Sequence, residues 1–308
     1  MYLLFNCRLF CLTFEITIDI VIHGIFWIVG KIKKFILSFL LLFSFLCAYN
    51  QEYQVSETAA AEKWLYEKFE ELYTVLSDAA KDSLNMAIVD KFGSILTDPL
   101  AFEYPFDSLH RIGKIYSPDQ KFRLITWNVQ ASDGKNACYG FIQYRGKRNK
   151  PCLVCLLNDR SDEIINPETA VLDHDNWYGA LYYDILLNRS KGRKLYTLIG
   201  YHPHDRYSGR KVIDVLSFGR ELHASFGEPV FQTEEGILHR LIYEFAPDIV
   251  MRLRYEPVRK MIILDHLSPI KTALEGNYHF YAPDGSYDGF RFRKGMWQYR
   301  PDVDVRNP

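Results

Sequence analysis

Hydrophobic and polar positions divide the chain into two regimes. Between Ser56 and about Leu96 the large apolar residues recur at steps of three and four: Leu65, Phe69, Leu72 and Leu76, then Leu84, Ile88, Phe92 and Ile95. Such a stripe covers one face of a helix. The spacing therefore predicts two helices forming an N-terminal hairpin. Asp98-Pro99 ends the second, because a residue before proline avoids the α region.

After about Leu109 the period falls to two, and turn residues punctuate the chain roughly every 8–12 positions, as in a sandwich or barrel. Strands are expected at Arg111–Tyr116, Lys121–Gln130, Ala137–Tyr144, Cys152–Leu157, Trp177–Leu187, Lys194–Tyr201, Lys211–Phe218, Asn277–Tyr281 and Gly289–Arg293. Trp177–Leu187 is apolar on both faces and should be covered on both sides. Leu241, Tyr243 and Phe245 alternate with Arg240 and Glu244, so the apolar set should face inward and the charges outward. Turns at Ala246-Pro247-Asp248-Ile249 and Glu256-Pro257-Val258-Arg259 lead on to Met251–Tyr255 and Lys260–His266, giving a three-strand meander. Connections this short require antiparallel pairing.

The expected fold is mainly β: an antiparallel meander forming a sandwich or barrel, with an N-terminal helical hairpin. A β-propeller is the alternative, suggested by a proline-aspartate turn before an aromatic strand at Pro118-Asp119 and again at Pro283-Asp284. Two copies do not establish a repeat. The expected division is residues 1–48 as leader, 49–108 as helical segment and 109–308 as β-rich domain.

Composition sharpens the β expectation, since 21 Tyr and 21 Phe favour half-buried pleated surfaces. A net charge of −1 supplies no footprint for nucleic acid. Lys31, Lys33 and Lys34 precede an apolar run from Phe35 to Leu46, the order of a secretory signal. That run is short of the roughly 20 residues a membrane-spanning helix needs. Export with cleavage near Ala48 is expected, Cys47 is a candidate lipid anchor, and membrane contact is expected only through this segment. Residues 1–30 carry Arg8, Glu15, Asp19 and His23 among apolar residues and read as translated upstream sequence from an over-extended start.

Candidate chemistry is sparse. Asp173, His174 and Asp175 form one polar cluster, His202, His204 and Asp205 another, and Asp265-His266 a third. Converging imidazoles and carboxylates would pair as acid and base or bind a divalent metal. None has the ligand spacing of a metal motif, so no metal and no cofactor is expected. Cys152 and Cys155 form a C-x-x-C on an apolar strand, where an offset of three sends the side chains to opposite faces; with Cys138 they are expected to be buried free thiols. Trp177, Tyr178 and Trp297 are the candidate ligand-binding aromatics, suited to stacking on sugar rings.

The phrases Phe122-Arg123-Leu124-Ile125-Thr126-Trp127-Asn128, Asn176-Trp177-Tyr178-Gly179-Ala180-Leu181-Tyr182-Tyr183 and Tyr281-Ala282-Pro283-Asp284-Gly285-Ser286-Tyr287-Asp288-Gly289-Phe290 resemble those of uncharacterised exported proteins of Bacteroides-type bacteria. The resemblance covers most of the chain after Leu109 and implies export and a shared β fold, with no activity and no site residues attached. The functional expectation is an exported non-enzymatic binding or structural β domain of the periplasm or cell surface, with ligand and partners unknown. Its rival is an exported hydrolase, with or without a metal, acting on glycans or peptides through the Asp/His clusters.

Overall fold

A computed structural model describes residues 38–39, 57–146 and 150–306. The expectations about a leader, cleavage near Ala48 and lipidation at Cys47 lie outside the described residues. Residues Thr58–Pro308 form one unit by their internal contacts. Strands make up 42% of the structure and helices 20%.

The first helix, α1, runs over residues 57–74 and the second, α2, over Asp78–Ile95. The apolar stripe explains both. Leu65, Phe69, Leu72, Ile88 and Phe92 are buried together with Phe106 and Leu109. Leu76 departs from the expected stripe: it lies in the three-residue break between the helices and is 88% exposed. Trp127 receives the pair, its ring lying 5.9 Å from Phe69 and 5.6 Å from Phe92 while its Nε1 donates to Asn85 Oδ1 at 2.8 Å. Each such enclosed ring contributes about 2–3 kcal/mol of apolar burial.

Four strands, β1 (Gly113–Tyr116), β2 (Phe122–Gln130), β3 (Asn136–Tyr144) and β4 (Leu153–Asn158), form an antiparallel meander in the order β1-β2-β3-β4. Both its faces are covered. Ile125, Trp127 and Phe141 meet the helices, whereas Leu124, Cys138 and Ile142 enter a second core. Arg123 is buried beneath the helical segment, where it donates to the carbonyls of Tyr104 at 2.7 Å and Ala101 at 2.6 Å.

The five-stranded sheet contains β5 (Leu181–Ser190), β6 (Arg193–His202), β7 (Gly209–Phe218), β8 (Ala224–Phe226) and β11 (Leu241–Phe245). In β6 and β7 the alternation is apolar on both sides. Tyr196, Leu198, Val212 and Leu216 join the core shared with the first sheet, and Leu195, Ile199, Ile213 and Val215 face the third sheet. The doubly apolar segment near Trp177 is explained differently, because β5 starts only at Leu181 and is bulged between Tyr182 and Asp184. Tyr182 and Ile185 thereby reach the same core although three positions apart.

The third sheet has the order β10-β9-β15-β14-β13-β12: β9 (Phe231–Gln232), β10 (Ile237–Leu238), β12 (Leu253–Glu256), β13 (Met261–Pro269), β14 (Tyr281–Arg293) and β15 (Met296–Arg300). Only β15 and β9 pair in parallel among the described strands. The strand expected at Asn277–Tyr281 is instead a turn of 3-10 helix at Tyr278–Phe280, and β14 begins at Tyr281 and takes in the segment expected as a separate strand at Gly289–Arg293. The three sheets differ in size and connection and are not repeated blades, so the propeller alternative finds no support here.

Two expectations about residues 240–266 are corrected. No three-strand meander forms: β11 pairs with β7 in the five-stranded sheet, while β12 pairs with β13 in the next. Phe245 is buried as expected, but Arg240 is buried too, its Nε donating to Asp214 Oδ2 at 2.6 Å. Strand parity suggested a solvent-facing Arg240; a carboxylate 26 positions earlier in sequence compensates its burial instead.

Candidate functional site

Two adjoining cavities flank β11: one of about 300 Å³ between it and β13–β15, and one of about 630 Å³ beside β7 and the β4–β5 connection. They share a wall of Glu168, Glu235, Ile242 and Tyr243. Glu168 comes from the long β4–β5 connection, which is anchored because the Glu168 carbonyl accepts the N–H groups of His239 and Arg240. Burial raises the Glu168 carboxyl above its ordinary pKa, with neighbouring Glu235 adding to the shift.

The smaller cavity contains a histidine–carboxylate pair. The β13–β14 register shifts between Asp265 and Leu267, leaving His266 outside the ladder. Such a bulge lets neighbouring side chains point the same way. Both Asp265 and His266 consequently line the cavity. His266 Nδ1 lies 2.7 Å from Asp288 Oδ2, and Tyr299 lines the cavity beside them. Asp265 is occupied otherwise, its Oδ2 accepting the Arg252 N–H at 2.7 Å. The Asp288 hydrogen bond raises the His266 pKa above its ordinary value, against an opposing effect of burial. Facing this pair, Tyr243 is held in its neutral form because burial raises its pKa.

The larger cavity carries Arg210, which is already committed. Its Nε donates to Glu244 Oε2 at 2.9 Å, its Nη1 to the Tyr178 hydroxyl at 3.3 Å and its Nη2 to His204 Nε2 at 2.8 Å. Burial, followed by the Arg210 charge, lowers the His204 pKa, so His204 acts as a neutral acceptor.

No family model, curated protein or solved structure matches this chain.

Of the residues singled out in the sequence, His204 and Tyr178 line the larger cavity and His266 the smaller. His174 and Asp175 line a separate surface hollow with Cys155 and His223. Asp173 is spent locally, accepting the N–H groups of Asp175 and Asn176, and Asp205 likewise accepts those of Tyr207 and Ser208. Trp177 and Trp297 are corrections. Both are enclosed in cores, where their indole N–H groups donate to the Tyr182 hydroxyl and to Thr197 Oγ1, and neither presents a face for sugar stacking. The Tyr178 ring is buried as well, and its hydroxyl accepts from Arg210.

His202 belongs to a cluster that sequence reading missed. Its ring nitrogen, the Cys138 sulfur and an Asp159 oxygen all lie within 4.8 Å of one another, a composition suited to zinc. The hydrogen bonding opposes that role. The His204 backbone N–H donates to His202 Nδ1 at 2.8 Å, so in the neutral ring the proton sits on Nε2, facing Asp159 and the Ser161 hydroxyl at 3.2 Å. A metal at Nε2 would drive that proton to Nδ1, against an N–H already there. Asp159 is also satisfied, accepting N–H groups from Cys138, Ser161 and Gly179 at 2.8, 2.9 and 3.1 Å. A Cβ at position 179 would collide with Asp159 Oδ2, which explains glycine there. Burial raises the Cys138 thiol far above its ordinary pKa, leaving a neutral core side chain. The cluster is a structural clamp joining β3, the end of β4 and the segment before β5. Cys138, Cys152 and Cys155 are free thiols.

The missed residues had weak signals. Glu168, Glu235 and Asp288 stand in no motif, and only the adjacent Asp265-His266 pair marked this region in sequence.

Proposed function

We propose that the chain is an exported binding domain of the cell envelope that holds a small, hydroxyl- and amine-bearing ligand, such as an amino-sugar oligomer, in the cleft beside β11. One observation carries the reading: two adjoining cavities walled by Glu168, Glu234, Glu235 and Asp288, with Tyr243 and Tyr299 among them, while the lining arginine Arg210 is neutralised by Glu244. Concave sites with a few convergent polar groups are where small ligands bind. Carboxylates around such a site favour ammonium and hydroxyl partners over anions. The basic-then-apolar order of Lys31–Leu46 and the resemblance to exported Bacteroides-type proteins support the envelope location.

Calorimetric titration with glucosamine oligomers, against N-acetylglucosamine oligomers of equal length, tests the ligand. The charged oligomer should bind, weaken as salt rises, and weaken several-fold further in Glu235→Gln. Absence of binding by either oligomer, or binding indifferent to salt and to Glu235→Gln, would overturn the proposal. Recovery of envelope protein beginning within a few residues of Tyr49 tests export.

A further inference from the structure

The wall of the smaller cavity holds more than a binding surface requires. His266 is set outside the β13–β14 ladder by a bulge, and its Nδ1 is fixed by Asp288, with Tyr299 lining the cavity beside them. This arrangement orients an imidazole and stabilises it when it gains a proton. Among the described residues of that cavity the one aliphatic hydroxyl, on Thr233, donates to the Gly236 carbonyl, and no cysteine lines it. The nucleophile that His266 could activate is therefore water. Glu168 lines the same cavity as a half-buried carboxyl whose pKa is raised, and Tyr243 supplies a phenol that can donate.

We infer that the cleft hydrolyses a carboxylic ester on its hydroxyl-bearing ligand, with His266 as general base toward water, Asp288 as its positioning residue and Glu168 as general acid. The inference rests on the cleft being the ligand site and goes beyond binding. In the first step a water proton passes to His266 Nε2 as the water oxygen bonds to the ester carbonyl carbon, and the carbonyl oxygen takes the negative charge. Tyr243 donates a hydrogen bond to that oxygen. In the second step the carbon–oxygen bond to the alcohol breaks, and the Glu168 proton goes to the departing alkoxide. The His266 proton then returns through solvent to Glu168. One water and one ester give one acid and one alcohol, with no oxidant, reductant or cofactor. An ester suits this machinery because an alkoxide leaves far more readily than an amide anion, and the surrounding Glu234 and Glu235 repel the carboxylate product while retaining an amine-bearing alcohol.

The test uses two probes with the full chain: an O-acetylated glucosamine oligomer, read by acetate release, and 4-nitrophenyl acetate, whose leaving group needs no proton. Wild type should turn over both, and oxygen-18 from labelled water should appear in acetate without an acylated protein by mass spectrometry. His266→Asn should lower kcat by about 100-fold or more on both probes. Glu168→Gln should lose far more on the alkyl ester than on the aryl one. Asp288→Asn should lower kcat with little change in KM and shift the His266 ring nitrogens in an NMR spectrum, a readout that a purely structural residue would leave in place. His266→Gln, with unfolding temperatures measured for every variant, separates lost chemistry from lost folding. Acetate release no faster than in buffer, or turnover undiminished in a folded His266 variant, overturns the inference. Failure of wild type to bind the unacetylated oligomer instead overturns the binding reading.

Discussion

Two histidine–carboxylate pairs in one chain have different surroundings, and the difference separates scaffold from site. His202 and Asp159 are almost fully enclosed, at 1% and 7% side-chain exposure, and their nearest nitrogen and oxygen are 3.8 Å apart. Every strong acceptor in that pair is filled from the backbone: three N–H groups reach Asp159 and one reaches His202 Nδ1. His266 and Asp288 make a 2.7 Å contact at the surface of a cavity, with 43% and 10% of their side chains exposed. A filled acceptor set holds chain segments together. An oriented imidazole with an open side can exchange protons with something that is not protein. Composition alone would rank the two in the opposite order, since only the buried pair has a cysteine beside it.

The contrast breaks first at Asp159. Asp159→Ala should destabilise the fold by about 3–5 kcal/mol, because it removes a buried charge and strands the N–H donors it accepts. Urea unfolding measures this, and a loss below about 1 kcal/mol would mean the clamp is dispensable. The effect should depend on pH in a defined direction. Burial pushes the Asp159 pKa up, but the adjoining His202 imidazole and hydrogen bonds from the Cys138 and Ser161 N–H groups outweigh it and leave the carboxyl below its ordinary value. Its stabilisation is therefore present above the unfolded carboxylate value of about 3.9 and is lost as pH falls through the lower folded value.

Gly179→Ala should cost about 1–3 kcal/mol, since the added methyl meets the Asp159 carboxylate with little room to move. Thermal unfolding of this variant with and without Asp159→Ala sharpens the assignment, because removal of the carboxylate should relieve most of the methyl's cost.

The smallest expected effect belongs to the open pair. Asp288→Ala should change stability by less than about 1 kcal/mol, because the contact is screened by solvent on the His266 side. Its pH dependence is the reverse of that at Asp159. The raised His266 pKa means the pair stabilises the fold below the unfolded histidine value of about 6.5 and ceases to as pH rises through the higher folded value. A loss at Asp288 as large as that at Asp159 would erase the distinction between them.

Sequence pattern and structure part company where long-range partners decide the outcome. The stripes from Leu65 to Leu72 and from Leu84 to Ile95 were legible because a helix is read from neighbours at three and four, and Leu76 failed only because the chain turns at 75–77. Strand segments such as Phe122–Gln130 were legible to within a residue or two. Sheet membership was not: Leu241–Phe245 alternates in the same way whichever sheet it joins, and nothing local says that it pairs with β7. Arg240 was misread for the same reason, since its partner Asp214 lies on another strand. The bulges at Tyr182/Asp184 and Asp265/Leu267 reset the alternation without a residue type that announces them. Of the site, Asp265-His266 was visible as adjacent titratable residues, whereas Glu168 and Asp288 acquire meaning only when the β4–β5 connection and β14 come beside β13.

The most direct test of this division is to map ligand contact on the histidine rings. NMR spectra of the ring nitrogens, recorded while a glucosamine oligomer is added, should shift His266 while His202 keeps its Nε2-protonated form and its signal. Shifts at His202, or at His174 and His223 around their separate hollow, with His266 unmoved, would contradict the account and place the site elsewhere.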